Sequence, residues 1–265
     1  GTVTANGGHA YAIGNGGGSG GGRIAVLYDP VAQRGRPAPA IRFSAASGLS
    51  AYTASPKLPG DIGTLYFPDS YFFSPTNLFT GQWLAPGLTN DIVLPDWVVS
   101  NVWARLPGLN VTVSQTLTVA GTDYGRFKLE LTNSSAIQCA QLRISGASFV
   151  LGHGYETNLT SPDLYLAPSG STLNCTGDLI LTNAGRFYVS AGLTNSGAGS
   201  DYGARVAVGG DLRVASNCWI LPAAHPTSGA SVLFTMQNLT IDSNGGFNAD
   251  ARGYAETGAA AARLN

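Results

Sequence analysis

One short phrase keeps returning along the second half of the chain: a polar residue, then Leu, then any residue, then an aliphatic. It occurs at Thr116–Val119, Gln141–Ile144, Asp163–Leu166, Asp178–Leu181, Asp211–Val214 and Asn238–Ile241. Alternation of period two with β-branched and aliphatic residues is the signature of a strand with one buried side, and no helical stripe of comparable length appears there. A Gly-, Ser- or Asn-rich gap follows each phrase, then a second apolar patch such as "SFVLG", "RFYVSAG", "NCWILP" or "GGFNA". A third patch often precedes it, as in "SAIQCA", "ARVAVGG" and "SVLFTMQ". That makes three short strands per repeat. The leucines at 142, 164, 179, 212 and 239 lie 22, 15, 33 and 27 residues apart, mostly within the range of stacked repeat units. The 15-residue step is too short for three strands, which leaves the register between 142 and 179 open.

Three strands per turn, polar corners and stacking repeats predict an all-β chain wound as a parallel, right-handed β-helix. In such a solenoid each coil bonds to the coils on either side, and inward side chains form rows along the axis. The expected rows are Leu142, Leu164, Leu179, Leu212 and Leu239 with Ile144, Leu166, Leu181, Val214 and Ile241. Phe149, Phe187 and Phe247 would form another. Asp163, Asp178, Asp211 and Asn238 recur at one corner, where Asx side chains bond nearby backbone.

Glycine poses a second question. "NGGGSGGGRIAVLYD" (Asn15 to Asp29) satisfies G-x-G-x-x-G in more than one register. A phosphate-cradling loop requires a helix after its glycines, to supply amide donors and a dipole. Here Arg23–Tyr28 follows, which reads as a strand, and no Gly-Lys-Ser or Gly-Lys-Thr is present. The glycines are expected at corners, where a Cβ would obstruct. With "GTLYFPD" and the repeated Asp-Leu rungs, they make the chain resemble the glycine-rich β-helix repeats of large bacterial surface and secreted proteins. Autotransporter-like passengers and the pectate-lyase-like superfold share that architecture. The resemblance implies an extracellular or cell-surface location, and names no substrate.

The organisation expected is one domain: a Gly-rich loop and first strands over 1–70, an irregular aromatic and Pro-rich segment over 71–108, regular coils over 109–250, and a tail over 251–265. "GGFNADARGYA" from Gly245 echoes "GTVTANGGHAYA" from Gly1. The chain therefore reads as a fragment of a longer one, its tail leading to a next repeat. Charged residues make up only 11% of the chain, against roughly 25% in typical soluble domains. A net charge of -1 and the absence of any Lys/Arg run exclude a nucleic-acid footprint. No apolar stretch approaches the roughly 18 residues of a membrane helix. Cys139, Cys175 and Cys218 lack metal or redox spacing and read as buried thiols, with a disulfide in an oxidising compartment as the alternative.

Little here reads as catalysis. "GHG" at Gly152–Gly154 matches a short motif of polygalacturonases, but no Asp-Asp pair exists in the chain, and Arg143-Ile144-Ser145 lacks the lysine of that family's Arg-x-Lys. Glycoside hydrolysis needs two cooperating carboxylates, so the reading leans away from an enzyme, with no cofactor and no metal. The expected role is a structural or adhesive stalk. The alternative is a carbohydrate-active β-helix, either enzyme or glycan-binding module. Trp83, Trp97 and Trp103 in the Pro-rich segment are the candidate ligand-binding residues, as an aromatic platform for a sugar or as a hydrophobic cover.

Overall fold

The computed structural model describes residues 1–10, 17–37, 39–49, 60–69, 71–72, 78–84, 91–106, 109–132, 135–152, 170–193, 202–225 and 228–253. The N-terminal part forms β1 (Thr2–Thr4), β2 (Arg23–Ala25), a five-residue helix α1 (Pro30–Arg34), β3 (Arg42–Ser44) and β4 (Thr64–Tyr66). Asp29 starts the helix by accepting from the amides of Val31 and Ala32 at 2.8 and 3.2 Å, ahead of Pro30 at its first position. Four strands come from the aromatic segment: β5 (Leu78–Leu84), β6 (Ile92–Leu94), β7 (Trp97–Ser100) and β8 (Val102–Leu106). Then follow β9 (Asn110–Ala120), β10 (Lys128–Leu131), β11 (Ala136–Ser145), β12 (Ser148–Leu151), β13 (Thr172–Cys175), β14 (Leu179–Thr182) and β15 (Arg186–Ser190). The last are β16 (Tyr202–Val208), β17 (Asp211–Val214), β18 (Trp219–Ala223), β19 (Ser231–Thr235), β20 (Asn238–Ile241) and β21 (Gly246–Phe247).

Every strand pair among the described residues is parallel. The strands form an 11-stranded sheet with the path β1-β3-β5-β8-β10-β12-β15-β18-β21 and a 10-stranded sheet with the path β19-β16-β13-β11-β14-β17-β20. From β8 onward the chain visits the two sheets alternately. Long β9 and β11 each cover what β13 and β14, or β16 and β17, cover as two pieces, and β11 shifts register between Cys139 and Gln141. The fold is all-β with parallel sheets.

The core lies between the sheets and is built from rows of like residues. Leu117, Leu142, Leu179 and Leu212 are partners on successive strands, all fully buried. Val119, Ile144, Leu181 and Val214 form the next row. Phe149 stacks on Phe187 with centroids 5.2 Å apart, and Ile220 and Phe247 continue that row. Leu142 pairs directly with Leu179, 37 residues on, which fixes the register there. Leu164, Leu166 and Asp163 lie outside the described residues. Leu239 and Ile241 hold their places beside Leu212 and Val214, yet are 48% and 42% exposed because no described strand covers them.

At the corner, the Asp178 carboxylate accepts from the Asp211 amide at 2.9 Å, and Asp211 accepts from the Asn238 side-chain amide at 2.9 Å. Cys139 and Cys175 are partners on adjacent strands, and they and Cys218 are buried free thiols.

The aromatic segment differs from an irregular cover. Its strands β5 to β8 belong to the sheets, with Pro95 at the break between β6 and β7, where its missing amide removes no ladder bond. The Pro95 carbonyl and Asp96 carboxylate accept from the Gln115 and Thr116 amides at 2.8 and 3.1 Å, tying that break to the middle of β9.

Glycine serves close approach. The segment 17–22 bonds to three neighbours: to Gly8 and Ala5, to Gly48, and to Asp61 and Thr64. A sheet strand has two neighbours, so this is a three-dimensional backbone network. A Cβ on Gly48 would sit 1.9 Å from the Gly8 carbonyl oxygen, and one on Gly63 would sit 1.9 Å from that of Gly22. The amides of Ser19, Gly21 and Gly22 donate to carbonyls, so those donors serve the fold rather than an anion.

Candidate functional site

Outward positions of the 11-stranded sheet carry the densest polar chemistry. In β8, Val102, Ala104 and Leu106 point inward, which sends Trp103 and Arg105 outward. In β10 the same alternation places Lys128 and Glu130 beside them, with Trp103 opposite Lys128 and Arg105 opposite Glu130. Glu130 is only 2% exposed, and three groups compensate its burial. Lys128 Nζ pairs with Oε1 at 3.1 Å. The Trp103 indole N–H donates to Oε2 at 2.8 Å, and Arg105 Nε lies 3.6 Å from the same oxygen. Lys128 also sits 4.0 Å from the centre of the Trp103 ring, a cation–π contact.

Farther along the same face the pattern repeats with different partners. The Ser148 hydroxyl donates to the Tyr124 carbonyl at 2.6 Å, and the Arg186 guanidinium lies 4.4 Å from the Tyr124 ring. Arg252 stands 5.4 Å from the Tyr188 ring. Burial pushes the Tyr188 phenol above its ordinary pKa, against the neighbouring arginines. Trp219 pairs beside Arg186. Arg105, Lys128, Arg186 and Arg252 thus share one face with the Glu130 carboxylate.

This arrangement suits binding better than proton transfer. Both Glu130 oxygens are engaged by cationic or indole donors, an arrangement that fastens the side chain in place. Among the described residues, no group of three His, Cys, Asp or Glu could hold a metal ion. Nor is any described helix long and apolar enough to cross a membrane.

The three sequence-selected tryptophans fall in two environments. Trp83 and Trp97 are each 3% exposed and belong to the core, Trp83 opposite Ala104 and Trp97 opposite Leu117. Trp83 borders an aromatic cluster of Phe43, Phe67, Phe72 and Phe79, its ring 6.5 Å from that of Phe67. Trp103 alone of the three faces outward, half-buried. The structure therefore brings Trp103 together with Arg105, Lys128 and Glu130, which sequence reasoning did not single out. Their signal is present in the alternation of "VWARL" and "KLEL", but the phase of each strand and their pairing are needed to read it.

Of the histidines, His9 accepts from the Leu49 amide at 2.9 Å and buried His225 accepts from the Ser228 amide at 3.2 Å, both loop-fastening roles. His153, centre of the "GHG" motif, lies outside the described residues. Tyr28 donates to Asp69, which also accepts from the Tyr71 amide at 2.9 Å. Burial first, then that carboxylate, raises the Tyr28 pKa.

No protein-family model, no curated protein and no solved structure matches this chain.

Proposed function

We propose that this chain is a coiled segment of a right-handed parallel β-helix, serving as a rigid structural or adhesive stalk in a bacterial surface or secreted protein. The observation that carries the reading is the in-register, wholly parallel pairing of β8, β10, β12, β15 and β18 in one sheet, while β9, β11, β14 and β17 pair in the other. Such a stack has a length set by the number of coils, and it buries its apolar rows without closing on itself. Crossovers between parallel strands are overwhelmingly right-handed, which supports that hand. Small-angle scattering tests the shape, and antibody labelling of intact, unpermeabilised producing cells tests the location. A compact globular profile would overturn the first, and label only after permeabilisation would overturn the second.

A second reading, a glycan-binding module, is favoured by one observation: aromatic rings and cations alternate on the outward face around Trp103, Lys128, Arg186 and Tyr188. Rings stack on sugar C–H surfaces, and guanidinium forks pair with acidic substituents. A glycan array probed with the intact chain tests it. Binding that survives both Trp103→Ala and Arg186→Ala refutes this face as the site.

A further inference from the structure

We propose that Cys139 and Cys175 form a redox site that hydrogen peroxide converts to a disulfide, covalently joining β11 to β13. The two residues are direct partners in the parallel ladder. Adjacent strands lie about 4.8 Å apart, inside the Cα separation of roughly 4.4–6.8 Å that a disulfide spans. Both side chains are buried in the core, and the Cys139 thiol donates to the Cys175 sulfur. Bridged cysteines hold their Cβ atoms about 3.5–4.5 Å apart, so closing the bond draws the strands slightly together. The slack for this is local. Cys139 and Cys175 end their paired run, and before pairing resumes at Leu142 and Leu179, two residues of β11 face three of its partner.

Packing alone does not call for sulfur here. Val113 precedes and Val208 follows the two cysteines in the same row, and the neighbouring row of Val111, Ile137, Leu173 and Val206 is aliphatic throughout. The Cys175 thiol is also held in place, donating to the carbonyls of Asp178 and Ala140 at 3.2 and 3.5 Å. Cys218 has no such neighbour: it precedes β18, and neither β15 nor β21 beside that strand contains a cysteine. The Cys139 thiol donating to it holds the Cys175 thiol below its ordinary pKa, which makes Cys175 the attacking sulfur. Its thiolate attacks one peroxide oxygen, the O–O bond breaks, and a sulfenic acid forms. The hydroxide released leaves as water with the Cys175 proton. The Cys139 sulfur then attacks the sulfenic sulfur; an S–S bond forms, the S–O bond breaks, and hydroxide departs with the Cys139 proton as a second water. Two thiols and one peroxide thus give one disulfide and two waters, the sulfurs losing the two electrons that the peroxide gains. Peroxide is close to water in size and reaches a buried pair that bulkier thiol reagents do not.

The site depends on strand pairing alone and stands whether or not the chain is a stalk. The full chain, reduced and then freed of reductant, is treated with hydrogen peroxide while folded, quenched with catalase, denatured and titrated for thiols. The count is expected to fall from three to one in the wild type and from two to none in Cys218→Ser, and to recover with dithiothreitol. Trypsin places the cysteines in three different peptides, 129–143, 144–186 and 214–252, so mass spectrometry reads the pairing directly. The first two are expected to appear joined and two hydrogens lighter than their sum. In Cys139→Ser the resolving thiol is gone, and dimedone is expected to trap a sulfenic acid on Cys175 with no joined peptides. The oxidised wild type should unfold at higher urea than the reduced one, because the bond ties adjacent strands across the chain between them. A wild-type count that stays at three overturns the proposal. So does a bridge that includes peptide 214–252, a count that falls without joined peptides, or a urea midpoint lowered by oxidation, which would mean that the folded strands do not accommodate the bond.

Discussion

Replacing Gly48 by Ala separates two reasons for a glycine-rich segment. If glycine is there for flexibility, Ala at Gly8 and at Gly48 should behave alike. If it is there because backbones approach too closely for a side chain, only Gly48 should matter. The Cβ of Gly48→Ala would lie 1.9 Å from the Gly8 oxygen and 2.6 Å from its carbonyl carbon, whereas that of Gly8→Ala meets nothing closer than Ser19 Oγ at 3.8 Å. Relieving the first contact separates the strands and stretches three backbone bonds: Ser19 to Gly8 at 3.1 Å, Gly48 to Ser19 at 2.8 Å and Gly60 to Gly48 at 3.4 Å. At about 1 kcal/mol net per bond, with about 1–3 kcal/mol for overpacking and under 1 kcal/mol returned by the stiffer unfolded chain, the net cost is about 3–5 kcal/mol. Gly8→Ala should fall within about 1 kcal/mol of wild type. Urea denaturation gives the global value, and hydrogen exchange at Ser19, Gly21 and Gly22 detects opening confined to the network. Equal stability and equal protection in the two variants would refute close approach as the reason for the glycines.

Row position should set the cost of core truncation. Leu142→Ala, fully buried between Leu117 and Leu179, is expected to cost about 3–5 kcal/mol, while Ile241→Ala at the open end of its row should cost under about 1 kcal/mol by the same denaturation assay. Glu130→Gln removes the charge opposing Lys128 and Arg105, and because both cations reach solvent the expected loss is about 2 kcal/mol rather than the full cost of an orphaned buried charge. Thiol titration should count three groups in denaturant and none in the native protein; a count of one would reveal a bridge between two of them. Burial raises the Cys218 pKa. That proton is retained in the folded state after the unfolded chain has lost it, so the Cys218 contribution to stability should be flat below about pH 8.5 and decline above it. The raised phenols of Tyr28 and Tyr188 should steepen the decline beyond about pH 10; stability that rises with pH through this range would contradict the assignment.

The interior rows were legible in the sequence because each strand carries its own alternation and like residues stack on like. Leu142, Leu179 and Leu212 needed no more than that. Register between 142 and 179 was not legible, since connection length varies independently of the strands it joins. The tryptophans show the same limit from another side. Trp83 and Trp103 sit in short strands of similar composition, and only the phase of each strand, fixed by pairing with β8 and β10, sends one ring into the core and the other to the surface. The Glu130 cluster spans residues 103 to 130 and exists only once those strands lie side by side. The three-neighbour glycine network was invisible for a different reason: glycine content signals that backbones can meet, but not how many do.

Strand pairing also determines how this molecule yields when pulled. Tension directed across the sheet ladders, from β1 toward β21, loads the inter-strand hydrogen bonds end on and opens them one strand at a time, as a zipper opens. Each opened rung frees the chain stored between partners: 33 residues from Leu179 to Leu212 and 27 from Leu212 to Leu239. At roughly 3.3–3.6 Å per extended residue, the corresponding gains in length are about 110 and 90 Å. A force–extension trace should therefore show a low, stepped plateau with unequal, sequence-determined spacings, in place of the single high-force rupture of a fold whose terminal strands are sheared along their length.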